Sequence, residues 1–393
     1  MNYNVRTQKV LQAGGWVKNF LFCLLFFLPA ACNTRKINPD EITDILERHS
    51  YAETDFQALR RALAAGGISA LAGIDPHAGI IDPKKRPERD YPVPMNKGCG
   101  LLVFREGGKT LAARVFEGSG AFLAGIREGD NLLGFEGKEA SSFSDARLNS
   151  LLFGSPRGGF TVRFEKKGEK GVSVSEARLT RDFGLYPNVW GFVLPGSNTG
   201  YIRIMTFSMK ASAALKKQLA SFAQSGVREL ALDVRHNSGG SLEELAGSLG
   251  LFSDGKKLVF KTVSRHPGYS RNFAPHGAGA GAGMKIRILA DSRTLSRAEI
   301  FVAALKEMTG AIITGTSTAG NVSITKTFRL SDGRGLKLTV ARMFPPSGLE
   351  LEGKGVRPDF VTPEYGEYDG FGFDLPAACL NSDPAFMKAV EKS

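Results

Sequence analysis

Residues 286–310 read Ile286-Arg-Ile-Leu-Ala290, then Asp291-Ser-Arg-Thr-Leu-Ser-Arg-Ala-Glu-Ile300, then Phe301-Val-Ala-Ala-Leu-Lys-Glu-Met-Thr-Gly310. The first five residues form a short apolar run of the kind that makes a buried strand. After a polar link, Ile300, Phe301, Ala304, Leu305 and Met308 recur at helical spacing. Ser296 therefore falls where a strand hands over to a helix. A serine there has its oxygen at the positive end of the helix, beside backbone N–H groups, which suits a nucleophile that generates an oxyanion. The same Ser296-x-x-Glu299 pattern is also an ordinary capping box. This segment alone leaves cap and nucleophile both open.

Upstream, Leu230-Ala-Leu-Asp-Val234 is a second buried strand and runs into Arg235-His-Asn-Ser-Gly-Gly240. Helical spacing follows over Leu242–Phe252, and the strand Thr199–Phe207 with the helix Ser212–Ser225 precedes it. Alternating strands and helices predict an α/β core in which the loops at one sheet end form the site. Gly239 and Gly240 lie in such a loop, where the absence of a side chain lets backbone N–H groups approach a substrate oxygen. A tight turn is the other reading of the pair. Downstream come the strand Ala311–Thr314, the loop Gly315–Asn321, the strand Leu336–Val340 and a closing helix over 383–392. His276-Gly-Ala-Gly-Ala-Gly-Ala-Gly283 has the composition of a phosphate loop but opens no helix, which excludes that reading. No internal repeat is visible.

The chain before the core divides in two. From Pro39 to Ala72 the pattern is helical, with Ile42, Ile45 and Leu46 and then Phe56, Leu59 and Leu63 on apolar faces. It ends in the turn Gly73-Ile-Asp75-Pro-His77-Ala-Gly79, which sets His77 in a loop. After a charged connector, Asp82–Pro94, a glycine turn and strand at Gly98-Cys-Gly-Leu-Leu-Val103 are followed by a small-residue helix at Ser119–Gly125, Gly129-Asp130, a strand, and a helix over 144–152. This ordered series resembles a PDZ domain. The resemblance implies that a protein C-terminus adds as a strand to a sheet edge, with the amides of Cys99, Gly100 and Leu101 capping its carboxylate.

At 393 residues and 42% hydrophobic content the chain has room for two or three domains with proper cores. Its formal charge of +12 is spread among acids with no basic-aromatic block, which argues against nucleic acid as a partner. Arg6, Lys9 and Lys18 precede the apolar run Phe20–Leu28, and Pro29-Ala-Ala-Cys32 follows. This is the layout of a secretory signal. It is similar to a bacterial lipoprotein signal, with Pro29 where leucine is usual, and the similarity implies acylation at Cys32, export across the inner membrane and a periplasmic membrane anchor. Simple cleavage and release is the alternative. Cys99 and Cys379 lack metal-ligand spacing, and whether they pair is open.

Taken in order, Asp233-Val-Arg-His-Asn-Ser-Gly-Gly240, Thr294-Leu-Ser-Arg-Ala-Glu299, Gly315-x-x-Thr-x-Gly320 and Gly355-Val-Arg-Pro-Asp359 resemble the C-terminal-processing, or tail-specific, serine proteases. The resemblance implies a crotonase/Clp-protease-like α/β core with an inserted, mostly β PDZ domain and a helical N-terminal lead-in. The boundaries it suggests are a signal over 1–32, the lead-in over 38–90, the PDZ module over 92–181, the core over 183–364 and a tail over 365–393. It also implies an extracytoplasmic endopeptidase that needs no cofactor or metal and takes protein or peptide substrates by their C-termini. A homo-oligomeric assembly stays open beside a monomer.

One departure matters: members of the family activate serine with a lysine directly after the third motif's glycine, and this chain has Asn321 there, with Thr325 where glutamine is usual. Lys326 lies five residues past Asn321 on the expected strand and points to the opposite face. Some relatives without the lysine use a histidine from an Asp-x-His loop of the helical lead-in, and Asp75-Pro-His77 matches. The expected set is therefore Ser296 as nucleophile, His77 as base with His236 as the alternative, and the amides of Arg297 and of Gly239 or Gly240 around the oxyanion. The rival reading is a pseudo-protease that binds peptides or scaffolds another protein.

Overall fold

The structure is a computed structural model of the 393-residue chain. It describes residues 37–82, 98–153, 158–168, 171–181, 187–208, 210–255, 258–275, 279–364 and 379–391. The expected signal with Cys32, most of the connector after Asp82, and His276 at the head of the Gly-Ala stretch lie outside the described residues.

The lead-in is a helical pair. Helix α1 (Pro39–His49) begins at Asn38, whose side chain accepts the N–H groups of Asp40 and Glu41; α2 (Phe56–Gly66) is capped in the same way by Asp55. A short strand, β1 (Gly79–Ile81), follows the His77 turn.

The next unit is an antiparallel sheet of β2 (Leu101–Glu106), β3 (Lys109–Val115), β4 (Asn131–Phe135), β5 (Lys138–Glu139), β6 (Phe160–Gly168) and β7 (Gly171–Leu179). Its order is β2-β3-β4-β6-β7, with β5 on β4. Helix α3 (Gly120–Leu123) follows β3, and α4 (Asp145–Phe153) precedes β6. Leu101, Val103, Phe135, Leu148, Phe160 and Val162 are among the residues of its core.

The third unit supplies β8 (Val189–Val193), β9 (Thr199–Ile204), α5 (Ala211–Gln224), β10 (Glu229–Asp233), α6 (Leu242–Gly250), β11 (Phe260–Val263), β12 (Arg271–Phe273), β13 (Lys285–Ala290), α7 (Arg297–Thr309), β14 (Ile312–Gly315), β15 (Ser323–Arg329), β16 (Gly335–Phe344), β17 (Phe360–Val361) and α8 (Pro384–Val390). Its central sheet runs β17-β14-β13-β10-β9-β8 and is parallel except for β8. Such a sheet is buried on both faces, and strand alternation divides its side chains between two cores. Leu230, Leu232, Ile286 and Ile288 face the layer of α5, α6 and α7. Ala231, Tyr201 and Leu289 face the other way, against Phe386 of α8 and Leu102, Phe104 and Phe116 of the second unit.

A smaller antiparallel sheet, in the order β1-β16-β11-β12 with β15 also on β16, holds the His77 turn against the core. The mixed α/β fold expected from the sequence is present. Strands β1, β5, β7, β8, β11 and β12 had not been picked out from the sequence.

Candidate active site

Ser296 ends the link after β13 and is the N-cap of α7, with φ 61° and ψ −123°. A non-glycine residue in that region stores about 1–3 kcal/mol of backbone strain. Only 7% of the residue is exposed. Its Oγ accepts a hydrogen bond from Arg297 Nη1 at 2.9 Å. Arg297 is the first helical residue, so the helix itself does not bond its amide.

Glu299 fixes this corner. Its Oε1 accepts the N–H of Ser296 at 3.0 Å and of Asn321 at 2.7 Å, while Oε2 accepts Thr318 Oγ1 and the Gly320 N–H, each at 2.6 Å. Full burial pushes its carboxyl above the ordinary value, against four donors that favour the ionised form. Glu299 is thus cap and staple together, tying the loop 315–321 to the start of α7.

The next amide serves a second carboxylate. Val322 N–H donates to Glu352 Oε2 at 2.9 Å, and Glu352 Oε1 pairs with His77 Nε2 at 2.7 Å. The side chains of His77 and Glu352 are 25% and 12% exposed. The His77 turn is anchored from below, because Asp75 accepts the His77 N–H, the Thr339 N–H and Thr339 Oγ1. Consecutive residues, Asn321 and Val322, thereby join the Ser296 corner to the His77–Glu352 pair. In this arrangement Ser296 Oγ is bonded to Arg297 and the imidazole to Glu352.

Lys326 lies elsewhere: it is exposed, with its ammonium 5.3 Å from the centre of the Tyr269 ring.

The glycine loop sits against the serine. A Cβ at Gly239 would come within 3.1 Å of Arg297 N and 3.2 Å of Ser296 Cβ, and one at Gly240 within 2.0 Å of Phe207 O. Backbone must approach closely here, and only glycine permits it. The expectation for Gly239 needs correction, however. Its N–H donates to Asn237 Oδ1 at 2.8 Å, so that amide is already committed and cannot be the free oxyanion donor. Gly240 is left as the candidate.

His236, at φ 57°, is held at both ends by Asp291: its N–H donates to Oδ1 at 2.9 Å and its Nε2 lies 2.5 Å from Oδ2. Burial pushes Asp291 up, but the hydrogen bond and charge of His236 outweigh it and hold the carboxyl below its ordinary value. The pair fastens β10's loop to β13's loop. Ahead of it, Arg235 bridges Asp233 and Asp383, with all three buried. Burial opposes ionisation of Asp233, but Arg203 and Arg235 prevail and hold it well below the usual carboxylate range.

The expected carboxylate-capping amides also divide. Cys99 N–H donates to Leu152 O at 3.1 Å, which removes it from that role, and burial pushes its thiol up to about 12. Gly100, at φ 72°, and Leu101, at the head of β2, remain.

The model of peptidase family S41 matches residues 198–362, from the start of β9's strand to the end of β17. Over that segment the chain is similar to peptidase family S41. The C-terminal processing peptidase of the Tetradesmus obliquus chloroplast is 27% identical over 347 residues, 83% of this chain and 73% of the relative. Carboxyl-terminal-processing peptidase 2 of the Arabidopsis thaliana chloroplast is 34% identical over 207 residues, 50% of this chain and 40% of the relative. A probable CtpA-like serine protease of Staphylococcus aureus (strain COL) is 25% identical, over 85% of this chain and 66% of its own. The chain thus spans under two thirds of the length of several of these relatives.

Among solved structures, the photosystem II D1 C-terminal processing protease superposes with TM-score 0.50 at 22% identity, covering 82% of this chain and 92% of that one, which supports the shared fold.

Sequence patterns alone had not pointed to Glu352, Asp291 or Asp383. Glu352 lies three residues before the Gly355-Val-Arg-Pro-Asp motif already noted. A carboxylate flanking a motif is a weak signal, and only the fold brings it to His77.

Proposed function

We propose that this chain is an extracytoplasmic serine endopeptidase in which Ser296 is the nucleophile, His77 the base and Glu352 the group that orients the imidazole. The observation that supports the reading is the pair of consecutive amides, Asn321 to Glu299 and Val322 to Glu352, which links a histidine–carboxylate pair to the serine corner through hydrogen bonds. This combination supplies a base where Asn321, which cannot take a proton, stands in the family's lysine position.

In the reaction the Ser296 Oγ–H proton passes to the His77 ring as Oγ bonds to the scissile carbonyl carbon. The carbonyl oxygen becomes an oxyanion facing the amides of Gly240 and Arg297 at the positive end of α7. Collapse breaks the C–N bond, and the imidazolium gives its proton to the departing amine. Water, deprotonated by the same ring, then releases the acyl group and restores Ser296. The Arg297 guanidinium must leave Oγ and the imidazole must turn to it as substrate enters. The β2–β7 sheet acts as a PDZ module that recruits peptides by their C-termini. The apolar run Phe20–Leu28 and Cys32 support export and a lipid anchor in the periplasm.

Labelling with a fluorophosphonate tests the site. Wild type is expected to react at Ser296, Ser296→Ala not at all, and His77→Ala about 100-fold or more slowly, while His236→Ala keeps the label. Equal labelling in wild type and His77→Ala would remove His77 from the mechanism. The second reading, a peptide-holding protein without turnover, is favoured by Arg297 sitting on Oγ; an unlabelled but folded wild type would establish it.

A further inference from the structure

The outer edge of β2 already has an occupant. Val103 forms a parallel bridge with Cys379, and two residues on, Arg105 N–H donates to Asn381 Oδ1 at 2.6 Å while Asn381 Nδ2 donates back to Arg105 O at 3.2 Å. From the α4 side, Asn149 Oδ1 accepts the Cys379 N–H at 2.6 Å, and Asn149 Nδ2 donates to Ser382 Oγ at 2.7 Å.

The side chains follow the same alternation. Cys379 is buried with Cys99, Leu101, Val103, Leu148 and Leu152, while Leu380 turns the other way to Leu102, Phe104 and Phe386. Asp383 then caps α8 through Phe386 N–H and grips Arg235. Residues 379–382 thus lie between β2 and α4 with both backbone and side chains engaged.

We propose that residues 379–383 are a resident ligand of the β2 edge, which an extended peptide must displace in order to bind. The proposal rests on the reading of this sheet as a peptide-binding module. Strand addition uses the same unpaired edge that Cys379 and Asn381 now cover, so the two occupants exclude each other. The resident runs parallel to β2, away from the Gly100 turn, and holds the edge by a single bridge and asparagine side chains. An incoming C-terminus that adds a carboxylate contact at Gly100 and Leu101 has a term the resident lacks. Tethering supplies the resident at an effective concentration of about millimolar, so only such an added contact lets a free peptide compete. Because Asp383 is next in sequence, lifting the segment also loosens the brace on Arg235 at the head of the glycine loop.

The native thiol reads out the state. Seated, Cys379 is fully buried, and burial together with nearby Asp145 pushes its thiol up to about 12, which keeps it inert to alkylation. The experiment uses the full chain carrying Ser296→Ala, a short apolar fluorescent peptide with a free α-carboxylate, its C-terminal amide as control, and a maleimide pulse mapped by mass spectrometry.

The carboxylate peptide is expected to accelerate Cys379 labelling saturably while Cys99 stays protected. Asn381→Ala is expected to label Cys379 without peptide and to bind the peptide about tenfold more tightly. Asn149→Ala, which loosens the same segment from the α4 side, is expected to speed Cys379 labelling too. Peptide binding that leaves Cys379 protected, or two variants whose Cys379 labels no faster than wild type, would overturn the proposal. Failure of the peptide to bind any variant would overturn it together with the module reading, while fluorophosphonate labelling of Ser296 continues to judge hydrolysis separately.

Discussion

Ser296 holds a conformation that costs stability, and the cost is testable on its own. At φ 61° and ψ −123° the backbone suits glycine, so Ser296→Gly should abolish labelling yet raise stability by about 1 kcal/mol in urea unfolding. An unchanged or lowered midpoint would mean the corner is not strained. Glu299 works in the opposite sense. Removing its carboxylate strands four donors, those of Ser296, Thr318, Gly320 and Asn321, all at a buried corner. Glu299→Ala is therefore expected to lose about 3 kcal/mol or more, and Glu299→Gln, which keeps one acceptor oxygen, to lose less. Equal losses in the two variants would show that packing rather than hydrogen bonding sets the cost.

At the scale of elements, the ends of β10 and β13 are held by buried carboxylates with depressed proton affinity, Asp233 by its arginines and Asp291 by His236. A carboxyl whose folded value lies below its unfolded value, about 3.9 for aspartate, binds protons more readily when unfolded. The stability it contributes is present above about pH 4 and drains away as pH falls through the folded value. Unfolding free energy should therefore drop on acidification below about pH 4, and Asp291→Asn should flatten part of that slope. Arg235→Ala leaves Asp233 and Asp383 buried without their common partner and should cost about 4 kcal/mol; a loss below about 1 kcal/mol would mean water or Arg203 takes over.

The parallel strands were legible in sequence because Leu230–Val234 and Ile286–Ala290 are buried on both faces and read as continuous apolar runs. Strand β8, Val189-Trp-Gly-Phe-Val193, is equally apolar but has an irregular flank and a central glycine. That glycine is there because a Cβ would meet Tyr201 O at 2.4 Å, a reason only the neighbouring strand reveals. Ser296 and the glycine pair were legible as local patterns. Which glycine amide was free was not, because Asn237 decides it through a side-chain bond; the partner of His77, 275 residues away, was beyond any local reading.

At the scale of the molecule, the central sheet is sealed on one face by its own helices and on the other by α8 and the β2–β7 unit. Trp190 lies fully buried there, edge-on to Phe116 at 5.1 Å between ring centroids and tilted against Tyr201 at 5.7 Å. The second unit is consequently no detachable cassette. A chain shortened by joining Asn96 to Asn188 would present Trp190, Phe192, Leu194 and Tyr201 to water, with indole fluorescence shifted red and self-association in place of a monomeric core. Swapping the β2–β7 unit between relatives would then require transplanting the hydrophobic seam with it, so the unit's own surface and the solubility of the core would have to evolve as one trait.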